Sequence, residues 1–83
     1  MTPSRLSDLP NGTAATVRAL SASGDGIDPT TLQRLAELGF LPGESVQVLR
    51  RGPGGREPIA VQVGETLFAL RLAEAQCVEV AAA

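Results

Sequence analysis

The chain has 83 residues, a net charge of −2 and no histidine. A chain of this length forms one domain with a thin core and buries only about 60–65% of the surface that its unfolded form exposes. So small a net charge gives little electrostatic attraction to nucleic acid or to a membrane surface. The absence of histidine removes the commonest general base and the commonest metal ligand, and a single cysteine cannot build a structural zinc site.

Three features of the sequence predict a cytoplasmic protein. The segment Met1–Asp8 is polar and does not resemble a signal peptide. No apolar run approaches the roughly 20 residues that cross a bilayer, so we expect no direct insertion into a membrane. The only cysteine, Cys77, has no partner for an internal disulfide.

The first part of the chain predicts a lead-in, a strand and a loop. Leu6–Gly12 ends in the turn chemistry of Asn11-Gly12. Thr13–Ala22 carries strand-forming residues, and Ser23–Ile27 is rich in glycine and aspartate, as loops are.

A short helix from Pro29 to Leu38 is indicated at both of its ends. Asp28 can cap the first turn, and proline is well tolerated at the first helical position. Gly39 can adopt the left-handed conformation that ends a helix, after which Phe40 can fold back onto Leu35 on the apolar face.

Four further strands are predicted after this helix, at Ser45–Arg51, Pro58–Val63, Thr66–Leu72 and Cys77–Val80. The segments between and after them are predicted as a mobile hairpin loop at Gly52–Glu57, a two-residue turn at Gly64-Glu65, a helical turn at Ala73–Gln76 and a fraying end at Ala81–Ala83. The expected fold class is mainly β: a small barrel of about five strands, with one short helix inserted between strands 1 and 2. A barrel hides sheet edges, and residues 1–83 are expected to form a single domain.

No residue set indicates catalysis, a cofactor or a metal site. Cys77 comes just before Val78 and Val80 in the last predicted strand and has no base near it in sequence, so a buried packing role is favoured over a nucleophilic one. Asp25 and Asp28 are interpreted as loop and cap residues, because a hard cation needs six or more oxygen ligands. The glycines at 52, 54 and 55 lack the following lysine and helix of a phosphate-binding loop. We therefore expect no enzymatic activity.

Two features could bind a partner. The predicted hairpin carries three arginines that could engage carboxylates or phosphates, or could simply keep a strand edge solvated. The helix and its exit carry side chains away from the apolar face. The candidate partner-binding residues are Arg34, Glu37, Leu38, Leu41, Arg50, Arg51 and Arg56.

The segment Arg34–Gly43, RLAELGFLPG, followed by Val46 and Val48, resembles the FeoA family pattern: Arg-Leu-x-x-Leu-Gly, an apolar residue, any residue, then a Pro-Gly turn entering a strand. The resemblance covers almost the whole chain and keeps its order. It continues at Leu6–Gly12, at the Pro53-Gly54-Gly55…Pro58 hairpin, at Ala69-Leu70-Arg71 and at Ala75…Val78…Val80.

The resemblance implies a small cytoplasmic SH3-like barrel with a helix after the first strand, associated with bacterial ferrous iron uptake. It further implies an accessory protein that binds and modulates the cytoplasmic GTP-binding domain of a FeoB-type membrane transporter. The family is also associated with transition metal ion binding, although the absence of histidine argues against this chain holding the metal itself. DtxR-like iron-dependent repressors carry the same domain type, and without an attached DNA-binding module the chain is better interpreted as a free-standing accessory protein.

Alternative functions remain open from the residues. Arg50, Arg51 and Arg56 could make the chain a nucleic-acid-binding barrel. The acidic balance and the presence of only two stacking aromatics, Phe40 and Phe68, count against it, so no nucleic-acid partner is expected. The chain could also be the core domain of an iron-dependent regulator. An enzyme using the thiol of the single cysteine is the least favoured interpretation.

Overall fold

The computed structural model describes residues 4–22, 27–55 and 57–82, and in these residues it contains six strands and two helices. The strands are β1 (Ser4–Arg5), β2 (Ala14–Leu20), β3 (Ser45–Arg51), β4 (Ile59–Val63), β5 (Thr66–Leu70) and β6 (Val78–Ala82). The helices are α1 (Pro29–Leu38) and α2 (Leu72–Ala75), and a 3-10 turn covers Leu6–Asp8.

The strands form one antiparallel sheet in the order β1-β6-β2-β3-β4-β5. The register shifts between Val17 and Ala19, where β2 pairs with β6, and again between Val48 and Arg50, where β3 pairs with β4. Irregularities of this kind bend a strand and increase its twist. The sheet therefore curls around one apolar face, and β1 and β5 form its two ends.

Alternate residues of the long strands fill the core. On β3 and β4 the buried side chains are mostly valines, and their neighbours in sequence face outward. β-branched side chains pack well on a pleated surface, which explains their use here. The fully buried apolar side chains of the described residues include Leu6, Val17, Leu35, Phe40, Val46, Val48, Ile59, Val61, Cys77, Val78 and Val80.

Helix α1 has the predicted bounds and closes this core. The carboxylate of Asp28 accepts a hydrogen bond from the backbone N–H of Thr31 at 3.0 Å, so the predicted cap is confirmed. Gly39 has a φ of 115°, and the N–H of Phe40 then donates to the carbonyl of Leu35 at 3.1 Å. This left-handed reversal buries both Leu35 and Phe40 completely.

The predicted position of the helix needs one correction. The two-residue strand β1 pairs with β6 and precedes β2, so α1 follows the second strand of six rather than the first of about five. Two residues carry no readable periodicity, and their pairing partner lies at the other end of the chain.

Smaller boundary predictions also change. Ala81 and Ala82 do not fray, because they continue β6 opposite Thr16 and Ala15 of β2. Strand β5 ends at Leu70 rather than at Leu72, and α2 begins at Leu72 rather than at Ala73. The predicted loop at Gly52–Glu57 contains a 3-10 turn at Pro53–Gly55, and most of the Ser23–Ile27 loop, residues 23–26, lies outside the described residues.

Neither helix in the described part of the chain has the length and apolarity needed to cross a membrane.

Leu35→Ala is expected to lower the free energy of unfolding by about 2–5 kcal/mol, because it opens a cavity in a fully buried site. Urea unfolding followed by circular dichroism measures this change. Gln33→Ala, at an exposed position of the same helix, is the matched control and is expected to change stability by less than about 0.5 kcal/mol. Similar effects of the two variants would contradict the role of Leu35 in closing the core.

Candidate partner-binding surfaces

The predicted partner-binding residues do not form one cluster. Some lie on α1 and at its exit, and the others lie on β3 and in the hairpin that follows it. Arg56 lies outside the described residues. The two groups therefore form separate surfaces.

Arg34, Glu37 and Leu41 reach solvent and are called the helix-exit surface. The guanidinium of Arg34 forms an ion pair with the carboxylate of Glu74 on α2. The carboxylate of Glu37 accepts a hydrogen bond from the Gln33 side chain at 3.4 Å. The side chain of Leu41 is 46% exposed, so this surface offers one apolar contact between charged groups.

Leu38 does not belong to this surface. Its side chain is half-buried and packs against the core, whereas the sequence interpretation placed it where a partner could reach it. Leu38 follows the buried Leu35 by three residues and therefore lies on the same face of the helix.

Arg51 is committed to contacts within the chain. One guanidinium nitrogen donates to the side-chain oxygen of Asn11 at 2.8 Å, and the other donates to the carbonyls of Ser7 and Leu9, both at 2.9 Å. Arg51 lies opposite Ile59 of β4, and the side chain of Ile59 is buried on the inner face of the sheet. Because successive strand residues point to opposite faces, Arg51 lies on this inner face and its neighbour Arg50 on the outer one. Arg51 therefore ties the N-terminal lead-in to β3, and its guanidinium is hydrogen-bonded within the chain rather than offered to a partner as predicted.

No sequence pattern indicates this contact. The acceptors lie 40 or more residues earlier in the chain, and two of them are main-chain carbonyls. Any residue type can supply a carbonyl, so no pattern identifies the partners of Arg51.

Arg50 has the opposite environment. It lies opposite Ala60 of β4, on the outer face of the sheet, and its guanidinium makes no hydrogen bond or ion pair to any described residue. Beside it is a groove of about 480 Å³, called here the arginine groove. Its lining consists of Arg50, Arg51, Gly52, Pro53, Pro58, Ala60 and Ala69.

Small side chains and a tight hairpin shape this groove. Ala60 and Ala69 face each other across β4 and β5, so neither fills the space above the sheet. At Gly52, an added Cβ would overlap the carbonyl of Glu57 and would lie 2.8 Å from Cδ of Pro58. Only glycine permits this close approach between the two ends of the hairpin loop, where Pro53 and Pro58 both line the groove.

Cys77 and Asp28, considered above as a nucleophile and as a cation ligand, both have structural roles. Cys77 is completely buried, and its thiol donates a hydrogen bond to the carbonyl of Ala73 at 3.4 Å, so the packing interpretation is confirmed. Asp28 caps α1, and Asp25 lies outside the described residues. Residues 4–22, 27–55 and 57–82 contain no group of three or more cysteine, aspartate or glutamate side chains that could hold a metal ion.

The model of the FeoA domain family matches residues 4–82. The chain belongs to the FeoA domain family. The resemblance noted in the sequence is thereby confirmed, and the association of the family with ferrous iron transport extends to this FeoA domain at that general level.

Solved structures support the assignment. The zinc complex of Stenotrophomonas maltophilia FeoA, described as a prokaryotic SH3 domain protein, is 44% identical over 94% of this chain and 89% of its own, with a TM-score of 0.82. The FeoA protein of Chlorobium tepidum is 34% identical over 93% of this chain and 68% of its own, with a TM-score of 0.78. The mainly β, SH3-like fold expected from the sequence is thus confirmed.

A manganese-dependent transcriptional repressor in complex with manganese shares the fold of this FeoA domain. It is 22% identical over the whole of this chain, which covers 38% of the repressor, and the TM-score is 0.82. At this identity the likeness concerns the fold alone. No curated protein matches the chain.

Arg51→Ala is expected to lower the free energy of unfolding by about 2 kcal/mol or more, because a charged donor is lost and its acceptors are left without it. The neighbouring Arg50→Ala removes the same side chain from an exposed position and is expected to change stability by less than about 0.5 kcal/mol. Urea unfolding followed by circular dichroism compares the two. Equal losses would show that Arg51 does not hold the lead-in.

Proposed function

We propose that this FeoA domain is a cytoplasmic accessory protein of ferrous iron uptake that binds and modulates the GTP-binding domain of a FeoB-type transporter. The observation that carries the proposal is the family match over residues 4–82. It is supported by the 44% identity to S. maltophilia FeoA, a protein described as a candidate activating factor of bacterial ferrous iron transport.

The distribution of side chains suits a binding role. The thiol, the most reactive group of the chain, is covered by the core, whereas charged and apolar side chains lie together on two parts of the surface. The exposed side chains of these two surfaces are placed where a larger protein can contact them directly.

The arginine groove is the surface that we assign to the transporter. The guanidinium of Arg50, which pairs with no described residue, lies beside the apolar side chains of Pro53, Pro58 and Ala60. A carboxylate that docks at such a site displaces little water and accepts two charge-assisted hydrogen bonds from the guanidinium. Arginine forms this bidentate pair better than lysine does. The groove therefore fits a segment of the transporter domain that carries an acidic side chain next to apolar ones.

The alternative of nucleic-acid binding receives less support. Of Arg50 and Arg51, the two hairpin arginines that the structure describes, only Arg50 faces outward, since Arg51 is engaged by the lead-in. Binding of a nucleic acid backbone uses several cations along one surface. The alternative of a regulator core domain is supported by the repressor only at the level of the fold.

Titration calorimetry of the chain with the soluble GTP-binding domain of the transporter from the same genome tests the proposal. We expect a saturable complex in at least one of three states: without nucleotide, with GDP, or with a non-hydrolysable GTP analogue. Binding is also expected to change the rate of GTP turnover. The absence of heat and of any rate change in all three states would overturn the proposal.

Arg50→Glu is expected to weaken this complex about 10-fold or more, because it replaces a charged hydrogen-bond donor worth at least about 1.4 kcal/mol with a like charge. The matched control is Arg18→Glu, the same charge change at an exposed position of β2 outside the groove. Leu41→Lys probes the helix-exit surface. If Arg50→Glu and Arg18→Glu weaken binding equally, or if only Leu41→Lys weakens it, the groove is not the docking surface.

A further inference from the structure

Strand β5 is an open edge of the sheet. It pairs only with β4 among the described strands, in a register without shifts from Ile59↔Leu70 to Val63↔Thr66. Edge strands are usually protected by charged residues, proline or bulges. The sequence of β5, TLFAL, contains none of these.

The backbone groups that face outward from this edge can be assigned. Gly64-Glu65 is a two-residue turn, and in such a hairpin the flanking residues, Val63 and Thr66, exchange hydrogen bonds with each other. Hydrogen-bonded and non-hydrogen-bonded pairs alternate along an antiparallel ladder. The N–H and C=O groups of Leu67 and Ala69 therefore point away from β4, toward the open edge.

The side chains of the same two residues form a projection and a recess. Leu67 is 64% exposed, the most exposed of the large apolar side chains in the described part of the chain. Ala69 lies two residues further on the same outer face and leaves open the space of the arginine groove. A leucine projecting from another strand could fill that space.

We propose that β5 pairs with β5 of a second copy of this chain, antiparallel and around a two-fold axis at Phe68. In this register each Leu67 lies opposite Ala69 of the second copy, so the outward backbone groups of both strands meet. Each Glu65 lies opposite Arg71 of the second copy. The interface is isologous, as expected for a homodimer.

The charges select this register. Glu65 and Arg71 are both exposed, and their side chains make no hydrogen bond or ion pair to any described residue. Moving the axis to Leu67 places Glu65 opposite Ala69, and moving it to Ala69 places Leu67 opposite Arg71. Only the axis at Phe68 pairs both opposite charges and inserts both leucines over alanines, and such cross-strand pairs stabilise a sheet.

The dimer is expected to be weak. Pairing of two five-residue strands buries less surface than stable complexes do, so association depends on concentration. Sedimentation velocity of the full chain, from low micromolar to near-millimolar concentration, is expected to show a reversible monomer–dimer equilibrium. Interference optics are needed because the chain has no tryptophan or tyrosine.

Charge reversal at the two ends of β5 is the decisive test. Glu65→Arg alone places arginine opposite arginine twice, and Arg71→Glu alone places glutamate opposite glutamate twice, so each variant is expected to remain monomeric. An equimolar mixture of the two is expected to form a heterodimer, because both charge pairs are then complementary. The double variant Glu65→Arg/Arg71→Glu is expected to associate like the natural chain.

Two further variants control for folding and for non-specific apolar contact. Leu67→Lys is expected to abolish association, whereas Leu41→Lys, a matched change at the helix exit, leaves it unchanged. Circular dichroism is expected to show native folding of all variants, because every changed side chain is exposed. A chain that stays monomeric throughout, or single reversals that associate like the natural chain, or a mixture that stays monomeric, would overturn the proposal.

Discussion

The reversal of the chain at Gly39 is the constraint on which the rest of this domain depends. A curved sheet lined mainly by valines leaves one side of a thin core uncovered, and Leu35 and Phe40 cover it from the two sides of one left-handed glycine. The ring of Phe40 also lies against Phe68 of β5, with 5.8 Å between the ring centroids. Because the same turn buries both residues, it fixes the position of α1 on the sheet.

This constraint explains much of the family pattern in physical terms. Leu35, Gly39 and Phe40 serve the core, and the N–H of Gly43 donates to the carbonyl of Val17 at 2.8 Å as the chain enters β3. The segment by which the family was recognised is therefore mainly a folding element. Of its leucine and phenylalanine side chains only Leu41 is exposed, which moves the expected partner contact from the helix exit toward the arginine groove.

The sequence could predict features that depend on neighbouring residues, but not those that depend on residues far along the chain. The bounds of α1 and β3 were predictable because Asp28, Pro29, Gly39 and alternating valines act over a few residues. The two-residue strand β1 and the pairing of Ala81–Ala82 depend on partners at the far end of the sequence. The opposite environments of Arg50 and Arg51 follow from the register of β3 against β4, which two adjacent arginines do not reveal.

The two proposed interfaces meet at Ala69, which lines the arginine groove and also borders the open edge of β5. In the proposed dimer, Leu67 of the second copy covers Ala69 and narrows the groove on the side opposite Arg50. A transporter segment that needs the whole groove can bind only the monomer. Dimerisation then weakens the affinity of the groove for the transporter domain by some factor. By thermodynamic linkage, binding of the transporter domain weakens the dimer by the same factor. An unprotected edge strand beside a binding groove would in this way make the availability of the domain depend on its concentration.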